Sequence, residues 1–245
     1  MMPFKFAYFC DLLSTLEAHS NHDPPYLPTR VKELQCKAVD QWFRSHRARI
    51  DNPATDRVAL LSALFPERRT DRVYGLREPS LVRVLGRCLC LGVSRAKELS
   101  KWREKNGRDL GGCVELVQRQ AEMPRPRSGN EVTVEEVDIA LAQIAGKYRF
   151  SSPAVQHHAR EMNLPASDLD GILTPILHRM SARDMKWLTR MILKDYTPVV
   201  LPEGLVLRCF HFLLPDLLKF QVSFDFAFDL FRVVLFYSFD GNSVL

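Results

Sequence analysis

Apolar residues in this sequence return every three or four positions almost from end to end, and that period limits what the chain can fold into. Phe4, Phe6, Tyr8, Phe9, Leu12, Leu13 and Leu16 make one stripe; Val31, Leu34, Ala38, Trp42 and Phe43 make the next. ATDRVALLSALF follows between Pro53 and Pro66. Such a period gathers apolar side chains on one face of a helix, which must then be buried against other helices. Period-two alternation is scarce before VSFDFAFDLFRVVLFYSF at 222–239, where a strand and a buried helix both remain open. No repeat of fixed length is visible, which argues against a solenoid. The expectation is an all-α, multi-helix bundle with an uncertain C-terminal tail.

Punctuation supports this reading. SNHDPPYLP is a polar, Pro-rich loop after the first helix, and Pro79 suits the first position of a helix holding Leu81, Val82, Val84 and Leu85. SRAKELSKWREKNG reads as a short polar helix closed by Gly107. EMPRPRSGN, 122–130, is a loop by composition and the best candidate for a boundary between lobes. Thr133-Val134-Glu135-Glu136 then has the form of a capping box, opening a helix with Val137, Leu141 and Ile144 on one face. Ser152-Pro153 and Ser181 are further helix starts. Pro175 falls inside the stripe Ile172, Leu173, Ile176, Leu177 and Met180, so a kink or a later start is expected. Leu205 to Leu213 reads as one more helix, stopped by Pro215.

The chain has 245 residues, 46% of them hydrophobic, enough for one large domain or two small lobes. No apolar run is long enough to span a bilayer, and the opening MMPFKFAYFCDLL lacks the basic leader and cleavage site of a signal peptide. It reads as a first helix of an intracellular protein. The six cysteines, at 10, 36, 88, 90, 113 and 209, include no C-x-x-C, and His157-His158 has no third ligand nearby. Neither set has the spacing of a metal site, and buried free thiols are the simpler reading.

Charge is unevenly spread. Residues 28–108 hold 19 Lys/Arg against 9 Asp/Glu, whereas the remainder holds 15 against 20. A basic half points to a polyanion, most commonly nucleic acid. KWLTRMILKDY, 186–196, sharpens the point. Trp187, Leu188, Met191 and Ile192 form an apolar stripe, and Lys186, Arg190 and Lys194 repeat every four residues beside it. These three cations are the first candidates for phosphate contact. Arg30, Lys32, Arg44 and Arg47 are the best-clustered of the remaining pool. Arg190 has an alternative reading, a pair with Asp184 or another internal carboxylate.

KWLTRMILKDY resembles a segment of the N-terminal helical DNA-binding domain of ATP-dependent DNA ligases, in particular the type IV branch that acts in non-homologous end joining. MPFKFAYFCDLLSTLE resembles that branch's opening helix. ALFPERRTDRVYGLREPSLVRVL and EVTVEEVDIALAQIA resemble two further segments, in the same order and at similar spacing. The resemblance covers about residues 3–225 and leaves a divergent tail at 226–245. It implies about a dozen helices in two lobes, set against the minor-groove side of nicked or broken duplex DNA. It also implies phosphate contacts on both sides of the break, repair-protein partners and a nuclear location.

The family's full chemistry uses ATP and Mg²⁺, with a lysine in Lys-x-Asp-Gly that attacks the α-phosphate of ATP. Asp170-Gly171 and Asp240-Gly241 are the two Asp-Gly pairs here, preceded by Asp168 and Ser238 where the lysine would stand. No catalytic, cofactor-binding or metal-ligating residue is therefore assigned. The likeness also breaks after Asp195: Thr197 stands where the family has a basic residue and Val199 where it has glycine. Loss of both weakens a turn that the resemblance makes a phosphate contact. A helical protein-interaction scaffold and a truncated gene of a full ligase are the alternatives.

Overall fold

The structure, a computed structural model, describes residues 4–104, 108–121, 130–162 and 168–220. Among these residues there are α-helices and short 3₁₀ turns and no named strand. The all-helical expectation holds. The tail at 226–245, the strand-or-helix segment at 222–239, Gly107 and all but the last residue of the 122–130 boundary lie outside the described residues.

α1 (Phe6–Ser20) buries Phe6, Phe9, Leu12, Leu13 and Leu16 on one face. α2 (Pro28–Ile50) starts on a proline, whose missing N–H costs nothing in a first turn, and packs Val39, Trp42 and Phe43 inward. Trp42 donates its indole N–H to the Tyr8 carbonyl at 2.8 Å, locking α2 to α1. α3 (Arg57–Leu64) is apolar on nearly all sides and correspondingly buried. Asp56 caps it by accepting from Val58 and Ala59 N–H. α4 (Glu78–Cys88) and α5 (Val93–Leu99) follow, the latter running into a 3₁₀ turn at Ser100–Arg103.

α6 (Leu110–Arg119), a helix to which the sequence reading assigned nothing, carries Gly111-Gly112 in its first turn. The pair marks close packing. A β-carbon at Gly111 would lie 3.0 Å from the Lys186 carbonyl oxygen and from Cγ of Arg190, so glycine lets α6 run tightly along the later helix that carries them. α7 (Val134–Gly146) has the expected capping box: Thr133 Oγ1 accepts from Glu136 N–H at 3.1 Å, and Glu136 accepts from Thr133 N–H at 2.9 Å. The chain start is clasped beside it, Phe6 N–H donating to Val132 O and Val134 N–H to Phe4 O, both at 2.9 Å.

α8 (Pro153–Glu161) starts on Ser152 as expected. α9 (Leu169–Leu177) begins early, not late, because Asp168 caps it by accepting from Gly171 N–H at 2.8 Å. Pro175 falls in its last turn. α10 (Ala182–Leu193), capped by Ser181, ends where Lys194 turns left-handed at φ 57°. α11 (Glu203–Phe210) stops before the Leu213 that periodicity assigned to it; Pro215 sits in the first turn of α12 (Leu214–Phe220). Proline thus starts the last helix and does not merely end the one before. Buried apolar side chains from α1 to α12 form one connected cluster, with Trp187 of α10 fully buried.

Candidate nucleic-acid interface

The three repeating cations of α10 do not form a solvent-facing stripe. Trp187 fills the interior and donates its indole N–H to Ser14 Oγ at 2.9 Å, and its neighbours on the helix are drawn in with it. Lys186 is 9% exposed and Arg190 4%. Lys186 pairs with Glu17, and its ammonium lies 3.3 Å from Glu115. Arg190 donates Nη1–H to Glu17 at 2.8 Å and takes Asp109 in a two-pronged grip at 2.7 and 2.9 Å. Both cations also lie over the Trp187 ring, the guanidinium 4.8 Å and the ammonium 5.1 Å from its centroid. Asp184, the alternative partner for Arg190, is instead engaged by Arg183 at 3.0 Å.

This corrects the expected exposed basic stripe, and the physical reason is local. Charges taken into a low-dielectric interior must be paired, and Glu17, Asp109 and Glu115 supply the counter-charges. Burial pushes the Asp109 carboxyl up, but the Arg190 hydrogen bonds and charge outweigh it and hold the group below the usual aspartate range. Burial would likewise lower the Arg190 guanidinium, and Asp109 and Glu17 reverse that and raise it. The cluster ties α1, α6 and α10 together.

Lys194, third of the series, is half-buried and does other work. Its ammonium donates to the carbonyls of Arg69 and, at 2.7 Å, Arg72, and sits 5.2 Å from the Tyr74 ring centroid. It thereby caps the turn between α3 and α4. In that turn Arg69 grips Asp71 and Arg72 grips Asp138, the latter at 2.5 and 3.1 Å. Burial also pushes the Tyr74 hydroxyl up to about 12, so it stays neutral there at physiological pH.

The second pool stays on the surface. Arg30, Lys32, Arg44 and Arg47 are all exposed on α2. Three of them carry local carboxylates: Arg30 pairs with Glu33 at 2.7 Å, Arg44 with Asp40 at 2.6 Å and Arg47 with Asp51 at 2.7 Å. Lys32 has no ion-pair partner among the described residues. Exposed pairs one helical turn apart contribute only a few tenths of a kcal/mol and give way readily to a stronger anion.

A groove that the sequence reading did not single out has the more uniform charge. It encloses about 670 Å³ between the 70–83 segment, the end of α10 and the 148–150 corner. Arg72, Arg77, Arg83 and Lys194 line it, together with Tyr148 and Phe150, and no carboxylate does. Arg77 and Arg83 are exposed and have no carboxylate partner among the described residues. The groove's shape depends on Gly75 at φ 63°: a β-carbon there would fall 2.1 Å from Cε2 of Tyr148, so the ring rests directly on the backbone. The corner is fastened by Ser151, whose hydroxyl accepts from Val73 N–H at 3.0 Å and donates to Val73 O at 3.1 Å. Ser152 N–H adds a bond to Asp71 O at 2.9 Å. A cleft of about 770 Å³ adjoins it, sharing Leu76, Arg77 and Leu193, but mixes cations with Glu17, Glu78, Asp109, Glu115 and Asp195. The signal in the sequence was the pairing of YGLRE with GKYRF, two short basic-aromatic runs too far apart to be linked without the fold.

The described residues contain no group of His, Cys, Asp and Glu able to hold a metal, and no helix among them is long and apolar enough to cross a membrane.

Residues 5–211 of this all-helical chain match the family described as DNA ligase N terminus, and the chain belongs to that family. Among individual relatives, it is 28% identical to a DNA ligase 4 of Coprinopsis cinerea over 189 residues, 74% of this chain and 16% of that protein. It is 32% identical to a putative DNA ligase 4 of Oryza sativa subsp. japonica over 129 residues, 50% of this chain and 9% of that one. The chain thus spans about a sixth or less of the length of these relatives.

Proposed function

We propose that this chain grips nicked or broken duplex DNA through the phosphate backbone, as the DNA-binding part of a ligase 4-like system for double-strand break repair by end joining in the nucleus. The observation that carries the reading is a groove with no carboxylate in its lining, in which Arg77 and Arg83 stand exposed and without a carboxylate partner among the described residues. Arg77 and Arg83 are the phosphate contacts at its rim, with Lys194 holding the wall behind them. Arg30, Lys32, Arg44 and Arg47 on α2 form a second basic surface. Lys186 and Arg190 act from inside, tying α10, whose end lines the groove, to α1 and α6. Cations and helix N-termini fix position on a duplex without reading sequence, so the preference is for backbone geometry and not for base identity.

The sealing chemistry of the family, with its ATP and Mg²⁺, needs a lysine nucleophile, and these 245 residues contain no Lys-x-Asp-Gly. The function proposed for them is binding. A gel-shift titration on nicked and intact duplex of one sequence tests it. Binding that weakens steeply with salt, by roughly 0.9 log unit per phosphate neutralised, supports the reading. No shift at about 50 mM salt, where backbone contacts are strongest, refutes it.

One observation favours a second reading, a protein-interaction scaffold of ligase descent. The 195–203 turn shows no exposed cation: the Thr197 hydroxyl is tied to Asp195 at 2.6 Å, Val199 is buried and Glu203 pairs with Arg68 at 2.8 Å. A chain that failed the DNA titration while remaining folded would leave this reading standing.

A further inference from the structure

Phe150 is a large apolar side chain left 62% exposed at the lip of the basic groove. Its setting is not that of a loose loop residue. Tyr148 is seated on Gly75, the Ser151 hydroxyl bridges both backbone groups of Val73, and Ser152 N–H is bonded to Asp71. These contacts on either side hold the corner that presents the Phe150 ring. The Arg149 guanidinium lies 4.6 Å from the ring centroid, and Tyr148 sits beside it at 5.6 Å. A ring held out in water on a fastened corner, beside cations that suit a phosphate backbone, has the composition of a stacking platform on an electrostatic groove.

Resting on the DNA-binding reading above, we infer that Phe150 is the residue by which this chain distinguishes a break from continuous duplex. An intact stack presents no free base face, and opening one costs several kcal/mol. At a nick the backbone is interrupted on one strand, the step opens more cheaply, and an aromatic edge held at the groove lip packs against the exposed base or deoxyribose. Arg149 accompanies the ring and neutralises the adjacent phosphate. The surrounding cations bind nicked and intact DNA alike; the ring adds affinity only where the stack is broken.

The test uses the full 245-residue chain and one duplex sequence in intact and singly nicked forms, with Phe150→Ala, Phe150→Leu and Phe150→Tyr. Thermal melting of each variant confirms the fold, which an exposed position tolerates. The expected result is a loss of roughly tenfold on nicked DNA for Ala and Leu, of the size of one base–aromatic stack. Binding to intact duplex stays unchanged, and Tyr restores the preference. Equal losses on both DNAs, no loss on either, or full rescue by Leu would overturn the inference. The charge-reversed pair Arg77→Glu/Arg83→Glu separates the two claims. If it abolishes binding to both DNAs while Phe150→Ala changes nothing, only the inference about Phe150 fails. If the unaltered chain binds neither DNA, both fail.

Discussion

Arg190 presents Nε–H and Nη2–H to the two oxygens of Asp109 at 2.7 and 2.9 Å, and so bolts the last turn of α10 to the residue that caps α6. Asp109 serves twice, since its Oδ1 also accepts from Gly112 N–H at 3.1 Å in the first turn of α6. The bond explains why a cation that the sequence offers to DNA is found inside the protein.

Removing Arg190 should therefore unfold before it unbinds. Arg190→Ala leaves Glu17 and Asp109 without their shared partner, and the expected cost is about 3 kcal/mol, typical of stripping one side from a buried pair. Urea denaturation at neutral pH measures it. Asp109→Asn, at the more exposed end of the pair, should cost only about 1 kcal/mol. Equal, negligible effects from both would mean that the cluster is not structural.

Acid should weaken the fold through the same bond. The folded-state Asp109 carboxyl lies below its ordinary value, as does Glu136, where burial is outweighed by Arg179 and the Thr133 N–H. A depressed carboxyl contributes stability that is present above the unfolded-state value, about 4, and lost as pH falls through the folded-state value. Melting temperature should hold steady down to about pH 5 and drop below pH 4, and Asp109→Asn should flatten part of that drop. A melting temperature that rose on acidification would contradict the assignment.

Gly75 should tolerate no side chain. Gly75→Ala combines a left-handed backbone with a β-carbon lodged in the Tyr148 ring. The expected loss is more than 1 kcal/mol in stability, together with a displaced 148–152 corner. Tyr148→Ala in the same background should return part of the stability, by removing the clash, but not the groove. Full stability of Gly75→Ala alone would show that the corner is not seated as described.

Much of this was legible in the sequence, and what was not has a common cause. The capping box at Thr133 and Glu136 and the serine caps at 152 and 181 are local signals, carried by residues within one turn of one another, and each appears as read. Helix ends set by a competing cap were misjudged. Asp168 moved α9 earlier, and Pro215 started a helix where it was taken as a stop. Gly111 carried no local signal, because what it permits is an approach of α10 that a β-carbon would crowd. An internal carboxylate partner was one reading of Arg190, but which carboxylate, and the burial of Lys186 beside it, were out of reach. Helical spacing gives their common face, but their carboxylate partners lie 169 and 81 residues away, and only the packing of α1 and α6 against α10 brings them there. The groove was missed for the same reason: Arg77 and Phe150 belong to segments that meet through Gly75, Tyr148 and Ser151.

Under the proposed function, exposed groove cations hold the polyanion while the buried ones hold the fold. The salt dependence of nicked-duplex binding separates the two roles, comparing the unaltered chain with Arg77→Ala/Arg83→Ala and with Arg44→Ala/Arg47→Ala on α2. The groove pair should lower the slope of log affinity against log salt by about 1.8, two phosphates at roughly 0.9 each, with the melting temperature unchanged. The α2 pair should lower it by less, since both of its guanidiniums already hold carboxylates. A slope untouched by the groove pair, in a chain that still binds DNA, would contradict the claim.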